Sequence, residues 1–273
     1  VTPPADGQPL LPPLDPAERP TDVPVVIIGG GPVGLTAAML LARHGVAPLL
    51  LERRGFTTHF PRAHLLNVRT MEVLHDLGVA DDVYAAGPQD DHWHKVTWYT
   101  SVAGPTPLHG LKIGEVQAWG GGSDAPRYAA ASPRRFANLP QIRLDRLLWE
   151  HADAALPGRI RGQQEVVGLE IERGGVGRGE VGPAGGAVVT VLDRPTGETY
   201  QIRARYVVAA DGGRASAALL GVEMEGPRAI RDVVSQYVET DLSGWAEPDA
   251  LMAHFISPAG QGKPTGTMQA LGP

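Results

Sequence analysis

The chain of 273 residues contains no cysteine. That excludes disulfides, thiolate metal sites and cysteine nucleophiles, and with them the oxidoreductases that pass electrons through a redox-active cysteine pair. No apolar run reaches membrane-spanning length; the longest read as strands and one amphipathic helix. The net charge of −6 is spread without long runs of one sign, so nothing points to a nucleic-acid or anionic-membrane surface. The first residues lack the basic and apolar regions of a signal peptide, and no internal repeat is evident. Val1 is not an initiator methionine, so the start reads as trimmed. The expectation is a soluble cytoplasmic protein with neither a nucleic-acid nor a membrane partner. Its length admits one large domain or two modest ones, with ample core.

What is present is concentrated between Val23 and Arg53. Val25-Val26-Ile27-Ile28 is a short apolar run of β-branched residues, the pattern of a strand buried on both faces. Gly29-Gly30-Gly31-Pro32-Val33-Gly34 follows at once and fits G-x-G-x-x-G. Leu35 to His44 is a good helix former closed by Gly45, and a second apolar run, Val46 to Leu51, ends on Glu52. In a dinucleotide site Gly29 makes the tight turn, Gly31 lets the backbone approach a pyrophosphate and Gly34 allows close helix–strand packing. The pyrophosphate sits on the helix N-terminus, where unpaired N–H groups and the dipole favour an anion. Glu52, eighteen residues after Gly34, is placed to accept hydrogen bonds from an adenosine ribose. A lone glycine motif is weak evidence, but strand, helix, second strand and acid occur here in the required order. The chain is therefore expected to bind a dinucleotide.

Around this unit, residues 1–22 hold seven prolines and few apolar anchors, and read as a disordered tail or an arm along a partner subunit. Arg53 to Arg62 reads as a loop, and Arg69–Leu77 as a helix stopped by Gly78. The stretch from 85 to 137, rich in Gly, Pro, Trp and His, reads as sheet and loops over a substrate cavity, with strand-like patches at Lys95–Ser101 and Glu115–Trp119. Pro140–Ala155 contains a helix with Leu144, Leu147, Leu148 and Ala152 on one face. Strands are expected at Val166–Glu172, Ala187–Leu192, Thr199–Arg203 and Tyr206–Ala209, with a hairpin turn at Pro195-Thr196-Gly197. The glycine-rich Gly174–Gly186 reads as a hairpin loop, since no helix follows it. Beyond Asp211 come one helical stretch and strand-like Val233–Asp241 and Leu251–Ser257.

Tyr206-Val207-Val208-Ala209-Ala210-Asp211-Gly212 is a second apolar strand, ending in Asp-Gly with Arg214 and Ser216 just beyond. Alone this is a turn. Paired with the first motif it resembles the class A FAD-dependent aromatic monooxygenases, the para-hydroxybenzoate hydroxylase-like flavoproteins. Within them it is most similar to the phenol and chlorophenol hydroxylases and the antibiotic-pathway relatives that oxidise polyketide aromatics. Pro61-Arg62-Ala63, Asn67-x-Arg69-Thr70-Met71-Glu72-Val73-Leu74, Leu139-Pro140-Gln141-x-x-Leu144-Asp145, Ile202–Glu225 and Asp241-Leu242-Ser243 carry the same resemblance, from about residue 23 to the end.

The resemblance implies an α/β fold: a Rossmann-like FAD-binding domain from 23–85 and 138–225, and a β-sheet substrate layer from 86–137 and 226–273. It implies that Gly29, Gly31, Pro32, Val33, Gly34 and Glu52 hold the ADP half of FAD, with Arg53 beside the adenosine and the Val167 backbone at the adenine. Arg62 would lie near the flavin and pyrophosphate, a surface salt bridge being the alternative. Gln141 would bond the ribityl chain, an exposed helix-start glutamine being the alternative. Asp211 and Gly212 would serve FAD and NAD(P)H. The implied reaction is hydroxylation of a phenolic or polyketide-type aromatic, in which NAD(P)H reduces FAD, O2 adds at flavin C4a and the hydroperoxide delivers hydroxyl. Baeyer–Villiger insertion on the same fold, or a non-catalytic FAD-binding fragment needing a second chain, are the alternatives. No side-chain base can be named.

Two departures from the family pattern stand out. After Asp-Gly the family shows a small residue, Arg, a polar residue, Ser and Arg; here the run is Gly213-Arg214-Ala215-Ser216-Ala217-Ala218 and the second arginine is missing, which bears on nicotinamide handling. A downstream Gly-Asp motif is not found, Gly260–Gly272 reads as a loop, and the chain stops at Pro273 as if mid-domain. The expectation is a fragment of a longer hydroxylase, a homodimer or a second chain supplying the remainder. Asp90-Asp91-His92-Trp93-His94 has ligand-like density but reads as a solvated loop, and no metal site is expected. His59, His64 and His109 read as loop residues, and Ser216 lacks the context of a hydrolase nucleophile. Trp93, Trp98 and Trp119 fit either an aromatic pocket or ordinary packing.

Overall fold

A computed structural model describes residues 19–55, 62–88, 93–102, 106–172, 185–213, 215–223, 225–227, 233–241, 247, 249–256 and 266–269. In chain order the elements are β1 (Asp22–Ile28), α1 (Pro32–Arg43), β2 (Leu49–Leu51), β3 (Leu65–Leu66), α2 (Val68–Asp76), α3 (Ala80–Ala86), β4 (Lys95–Tyr99), β5 (Lys112–Gln117), α4 (Ala125–Ala131), β6 (Ala137–Asn138), α5 (Gln141–Ala155), β7 (Ile160–Arg161), β8 (Gln164–Glu172), β9 (Gly186–Asp193), β10 (Thr199–Ala209), α6 (Ala215–Leu219), β11 (Ala250–Phe255) and β12 (Gly266–Gln269). They form two compact units: Val1–His59 with Leu144–Ser235, and Phe60–Arg143 with Gln236–Pro273.

The first unit is built on a six-stranded sheet of order β7-β2-β1-β10-β9-β8. β7, β2, β1 and β10 run parallel, and β9 and β8 continue the sheet antiparallel. Val26 and Ile27 of β1 and Leu49, Leu50 and Leu51 of β2 are buried, as a strand covered on both faces requires. α1 starts at Pro32, whose fixed φ suits the first helical position, and ends before Gly45 at φ 76°. It buries Gly34, Leu35, Ala38 and Met39. On the antiparallel side, buried Ala187, Val189 and Val191 alternate with half-buried residues along β9 and pack with Ile202 and Ala204 of β10.

The two runs Thr199–Arg203 and Tyr206–Ala209, read from sequence as separate strands, are one continuous β10. Arg205 interrupts the apolar run but falls on an exposed position of the two-residue period, so it breaks the pattern without breaking the strand. The tail is anchored at its last residues. Arg19 bridges buried Asp193 and Glu198, each at 3.0 Å, and lies 5.0 Å from the centroid of the Tyr200 ring. Tyr200 donates to Gln164 Oε1 at 2.8 Å, and burial pushes its pKa up to about 12.

The second unit carries a four-stranded sheet of order β12-β11-β4-β5 and the β3–β6 pair. Lys95 and Lys112 meet Glu115, Glu247 and Asp249 beside it, and Tyr99 donates to Glu247. α2 is capped by Asn67, whose side chain accepts the Thr70 N–H at 2.8 Å. Three expectations are corrected here. α4 lies in the 85–137 stretch where sheet and loop were expected, and α3 stands at its leading edge, where no element was read. α3 buries only Ala80 and Val83 and α4 nothing, so neither shows an apolar stripe. β12 falls inside Gly260–Gly272, read as a loop; it pairs antiparallel with β11. Val233–Asp241, read as strand-like, is not a strand: Val234 is 86% exposed, so its alternation buries nothing. Residues 173–184 of the glycine-rich loop and Asp90, Asp91 and His92 lie outside the described residues.

Candidate cofactor-binding site

β1 lies between β2 and β10 and is parallel to both. The chain leaves β1 on one side through α1 and returns on the other only at β10, which makes the end of β1 a topological switch point, where open α/β sheets bind ligands. Two backbone bonds draw the strand ends together: Gly29 donates to Leu51 O and Ala210 donates to Ile28 O, each at 2.8 Å. Gly29, Glu52 and Asp211 therefore converge.

The glycines divide by what surrounds them. Gly29 has φ 108°, and a Cβ there would stand 2.7 Å from Ala210 O. A Cβ on Gly34 would overlap Gly29 O, so this glycine lets the helix close onto the turn. Gly31 is different: nothing lies within 4 Å of a Cβ there, and its φ of −82° is open to any residue. It faces open space. Gly30 occupies a free position of the motif and carried no role in the sequence, yet a Cβ there would sit 2.9 Å from both Glu52 Cβ and the Trp149 ring.

No side chain caps α1, whose N-cap is Gly31. Its first-turn N–H groups, Pro32 supplying none, have no intrahelical partner, and Val33 is 69% exposed beside them. Glu52 bonds the turn through both oxygens: Oε2 accepts from Gly30 N–H at 2.8 Å and Oε1 from Arg54 N–H at 2.9 Å. A carboxylate has about four acceptor positions, so capacity for a hydroxyl remains on each oxygen. Arg53 is exposed, and its carbonyl accepts from Arg194 at 3.3 Å. Glu52 N–H donates to Arg161 O and Glu52 O accepts from Gln164 N–H, which ties this corner to the start of β8. Farther along β8, Val167 is 42% exposed at an irregularity in the pairing with β9, between Val166 and Gly168.

Asp211 caps α6. Its Oδ1 accepts from Gly213 N–H at 3.0 Å and from the Ser216 hydroxyl at 2.6 Å; its Oδ2 accepts from Ser216 N–H at 2.8 Å. Burial acts to raise the pKa, but the bonds from Ser216, Gly213 and Ala215 outweigh it and hold the carboxyl below its ordinary value. Gly212 and Gly213 take φ of 76° and 71°, which the turn requires. Ser216 is thus buried in a helix cap.

Arg62 and Gln141 belong to the second unit. Gln141 opens α5, and its N–H donates to Ala63 O at 2.7 Å, while Leu139 N–H donates to His64 O at 2.7 Å. The segment around exposed Arg62 therefore runs beside the start of α5. His64, read as a loop residue, is half-buried and bonds Asn138 Oδ1 at 2.9 Å; burial lowers its pKa. Elsewhere in this unit Trp98 stacks on His254, whereas Trp93 and Trp119 approach at 6.3 Å beside an aromatic cleft. Among the described residues no group of three His, Asp or Glu is placed to hold a metal.

Fold and turn together define a dinucleotide-binding α/β protein. The model of the FAD binding domain family matches residues 22–272, and the chain belongs to that family. It is 32% identical over 228 residues to phenol 2-monooxygenase of Pseudomonas sp. (strain EST1001), covering 83% of this chain and 33% of that protein. It is 31% identical over 240 residues to aklavinone 12-hydroxylase of Streptomyces peucetius, covering 86% and 45%. Among solved structures it is similar to the flavin-dependent monooxygenase PieE in complex with FAD and substrate, at 36% identity and TM-score 0.73, over 88% of this chain and 39% of that one. It is also similar to the ternary complex of aklavinone-11 hydroxylase with FAD and aklavinone, at 27% identity and TM-score 0.63, over 88% and 42%. The chain spans less than half the length of these relatives.

Proposed function

We propose that this chain works in an FAD- and NAD(P)H-dependent monooxygenase that hydroxylates a phenolic or polyketide-type aromatic with O2. One observation carries the reading: the ends of β1, β2 and β10 converge on a glycine turn whose Gly31 faces open space at an uncapped helix N-terminus. That cradle fits FAD. Gly29, Gly31, Pro32, Val33 and Gly34 would present backbone and dipole to the pyrophosphate, and Glu52 would accept from the adenosine ribose, with Arg53 close by. Val167 would meet the adenine, and Asp211 and Gly212 would border the cofactor and serve NAD(P)H. Family resemblance supports Arg62 at the flavin and Gln141 at the ribityl chain. When bound, FAD would supply the redox chemistry that links NAD(P)H, O2 and the aromatic ring. The residues of the chain bind, orient and exclude water.

The substrate class is supported by relatives named for phenols and for aklavinone. Residues 23–85 and 138–225 are proposed as the cofactor domain and 86–137 with 226–273 as the substrate layer. The setting is proposed as cytoplasmic. The test is the visible absorbance and FAD content of the purified chain after saturation with FAD, followed by NAD(P)H oxidation with phenolic and polycyclic aromatics. Near-stoichiometric FAD and aromatic-stimulated oxidation support the proposal. A chain that retains no FAD even in excess overturns it for this polypeptide alone.

A further inference from the structure

Gly30 and Gly162 are glycines that the backbone path does not require, since neither takes a positive φ. Their neighbours explain them. A Cβ on Gly162 would stand 3.2 Å from Arg54 O and 3.8 Å from Cη2 of Trp149, and one on Gly30 would stand 2.9 Å from Cζ3 of the same ring. The six-membered edge of one indole thus reaches both the glycine turn after β1 and the corner between β7 and β8.

Trp149 arrives there from α5. It belongs to the buried stripe of Leu144, Asp145, Leu148, Trp149 and Ala152, is 3% exposed, and lies in the same unit as Gly30, Glu52 and Gly162. Its Nε1 is buried without a hydrogen-bond partner. Burying an unpaired donor is unfavourable. A phenylalanine would avoid that penalty but has no second ring to extend. The position is therefore filled for the reach of the ring and not for its donor.

What the ring reaches is the frame of Glu52. Its main chain is held by Glu52 N–H to Arg161 O at 2.8 Å and by Gln164 N–H to Glu52 O at 2.9 Å, with Gln163 N–H to Arg54 O at 3.0 Å beside them. Its carboxylate is held by Gly30 N–H at 2.8 Å and Arg54 N–H at 2.9 Å. The first of these donors rests on Trp149. A Cβ on Gly30 would also stand 2.9 Å from Glu52 Cβ, so turn, ring and carboxylate arm pack together. Loss of the outer ring would open a void beneath Gly30, and surrounding atoms relax partly into such voids.

We propose that Trp149 is a positioning residue for the cofactor: its indole sets the height of Gly30 and thereby aims the Glu52 carboxylate at the adenosine ribose. The assignment rests on the FAD reading, in which Glu52 accepts from that ribose. Trp149 acts through Glu52 and needs no contact with the ligand.

The experiment is calorimetric titration of the purified chain with FAD and with its 2′,3′-dideoxyadenosine analogue, which lacks the hydroxyls Glu52 would accept from. Wild type is compared with Trp149→Phe, with Trp149→Met and with a chain in which 2-naphthylalanine replaces Trp149; urea midpoints are taken on the same preparations. Wild type is expected to prefer FAD by about tenfold, the scale of a hydrogen bond to a charged group. Trp149→Phe should weaken FAD and leave the analogue as in wild type, so that the preference collapses. Trp149→Met, whose flexible chain fills the inner part of the space, is read in the same way. The naphthyl side chain has two fused rings and no N–H, and should keep the wild-type preference. A merely structural role would lower the midpoint and weaken both ligands alike, and that result overturns the proposal. So does a Phe or Met variant that keeps the preference, or a naphthyl chain that loses it. In those cases the FAD reading stands. A wild-type chain that binds FAD and the analogue equally overturns the role of Glu52 at the ribose and that of Trp149 with it. One that binds neither ligand overturns the FAD reading for this polypeptide and the assignment built on it.

Discussion

Gly30 and Gly31 are adjacent and carry opposite constraints. Gly30→Ala would drive a Cβ into Glu52 and the Trp149 ring, and overpacking of that kind costs about 1–3 kcal/mol. Gly31→Ala meets nothing within 4 Å and suits the backbone it would inherit. Urea denaturation without FAD is therefore expected to show Gly30→Ala destabilised and Gly31→Ala near wild type, whereas FAD titration should show Gly31→Ala weakened. Equal stabilities would remove the steric account of Gly30. Gly29, Gly31 and Gly34 were legible because their spacing is imposed by the backbone path from strand to helix. The constraint on Gly30 was not, because it comes from Trp149, far along the chain. The grip of Glu52 on the turn was hidden for a related reason: the fold brings its carboxylate back to Gly30 N–H.

Elements with an uninterrupted apolar period were legible, as β1, β9, α1 and α5 show. α3 and α4 were not, since seven-residue helices with little buried surface carry almost no periodic signal. The short β3 and β6 escaped because two-residue strands exist only through their pairing. The α6 cap yields a prediction at this scale. The Asp211 pKa is depressed in the fold, so the cap contributes stability that is present above the unfolded value of about 3.9 and is lost as pH falls through the folded value. Urea midpoints of wild type and Asp211→Asn should differ near neutrality and converge in acid. A difference independent of pH would mean that the bonds to Ser216 and Gly213 do not depend on the charge.

At the scale of the molecule, the anchoring of the arm was not legible. Proline content described residues 1–22, but Arg19 finds its partners on β9, on β10 and in the turn joining them. Asp193 is fully buried, so Arg19→Met should lower the urea midpoint. Arg146→Met breaks only the Arg146–Glu150 pair, each side chain 61% exposed, and should leave the midpoint unchanged. Equal effects would show that the clamp is no stronger than a surface pair. Ligand linkage adds a further expectation: free FAD at a hundredfold its Kd should stabilise the chain by about 2.7 kcal/mol, read as a shift of the same midpoint. The α/β architecture itself was fully legible, because it follows from the order of strand, glycine turn, helix and strand.

The placement of β1 between β2 and β10 also sets a timetable. Arg19 and Glu198 are 179 positions apart, and β1 waits about as long for β10. At roughly 5–20 residues per second of synthesis, one side of β1 stays open for about nine to thirty-six seconds after it emerges. During that interval Val25, Val26, Ile27 and Ile28 form an apolar edge with unpaired backbone groups, the kind that recruits other chains. The strand that anchors the glycine turn is thus the part of the nascent chain most in need of a chaperone.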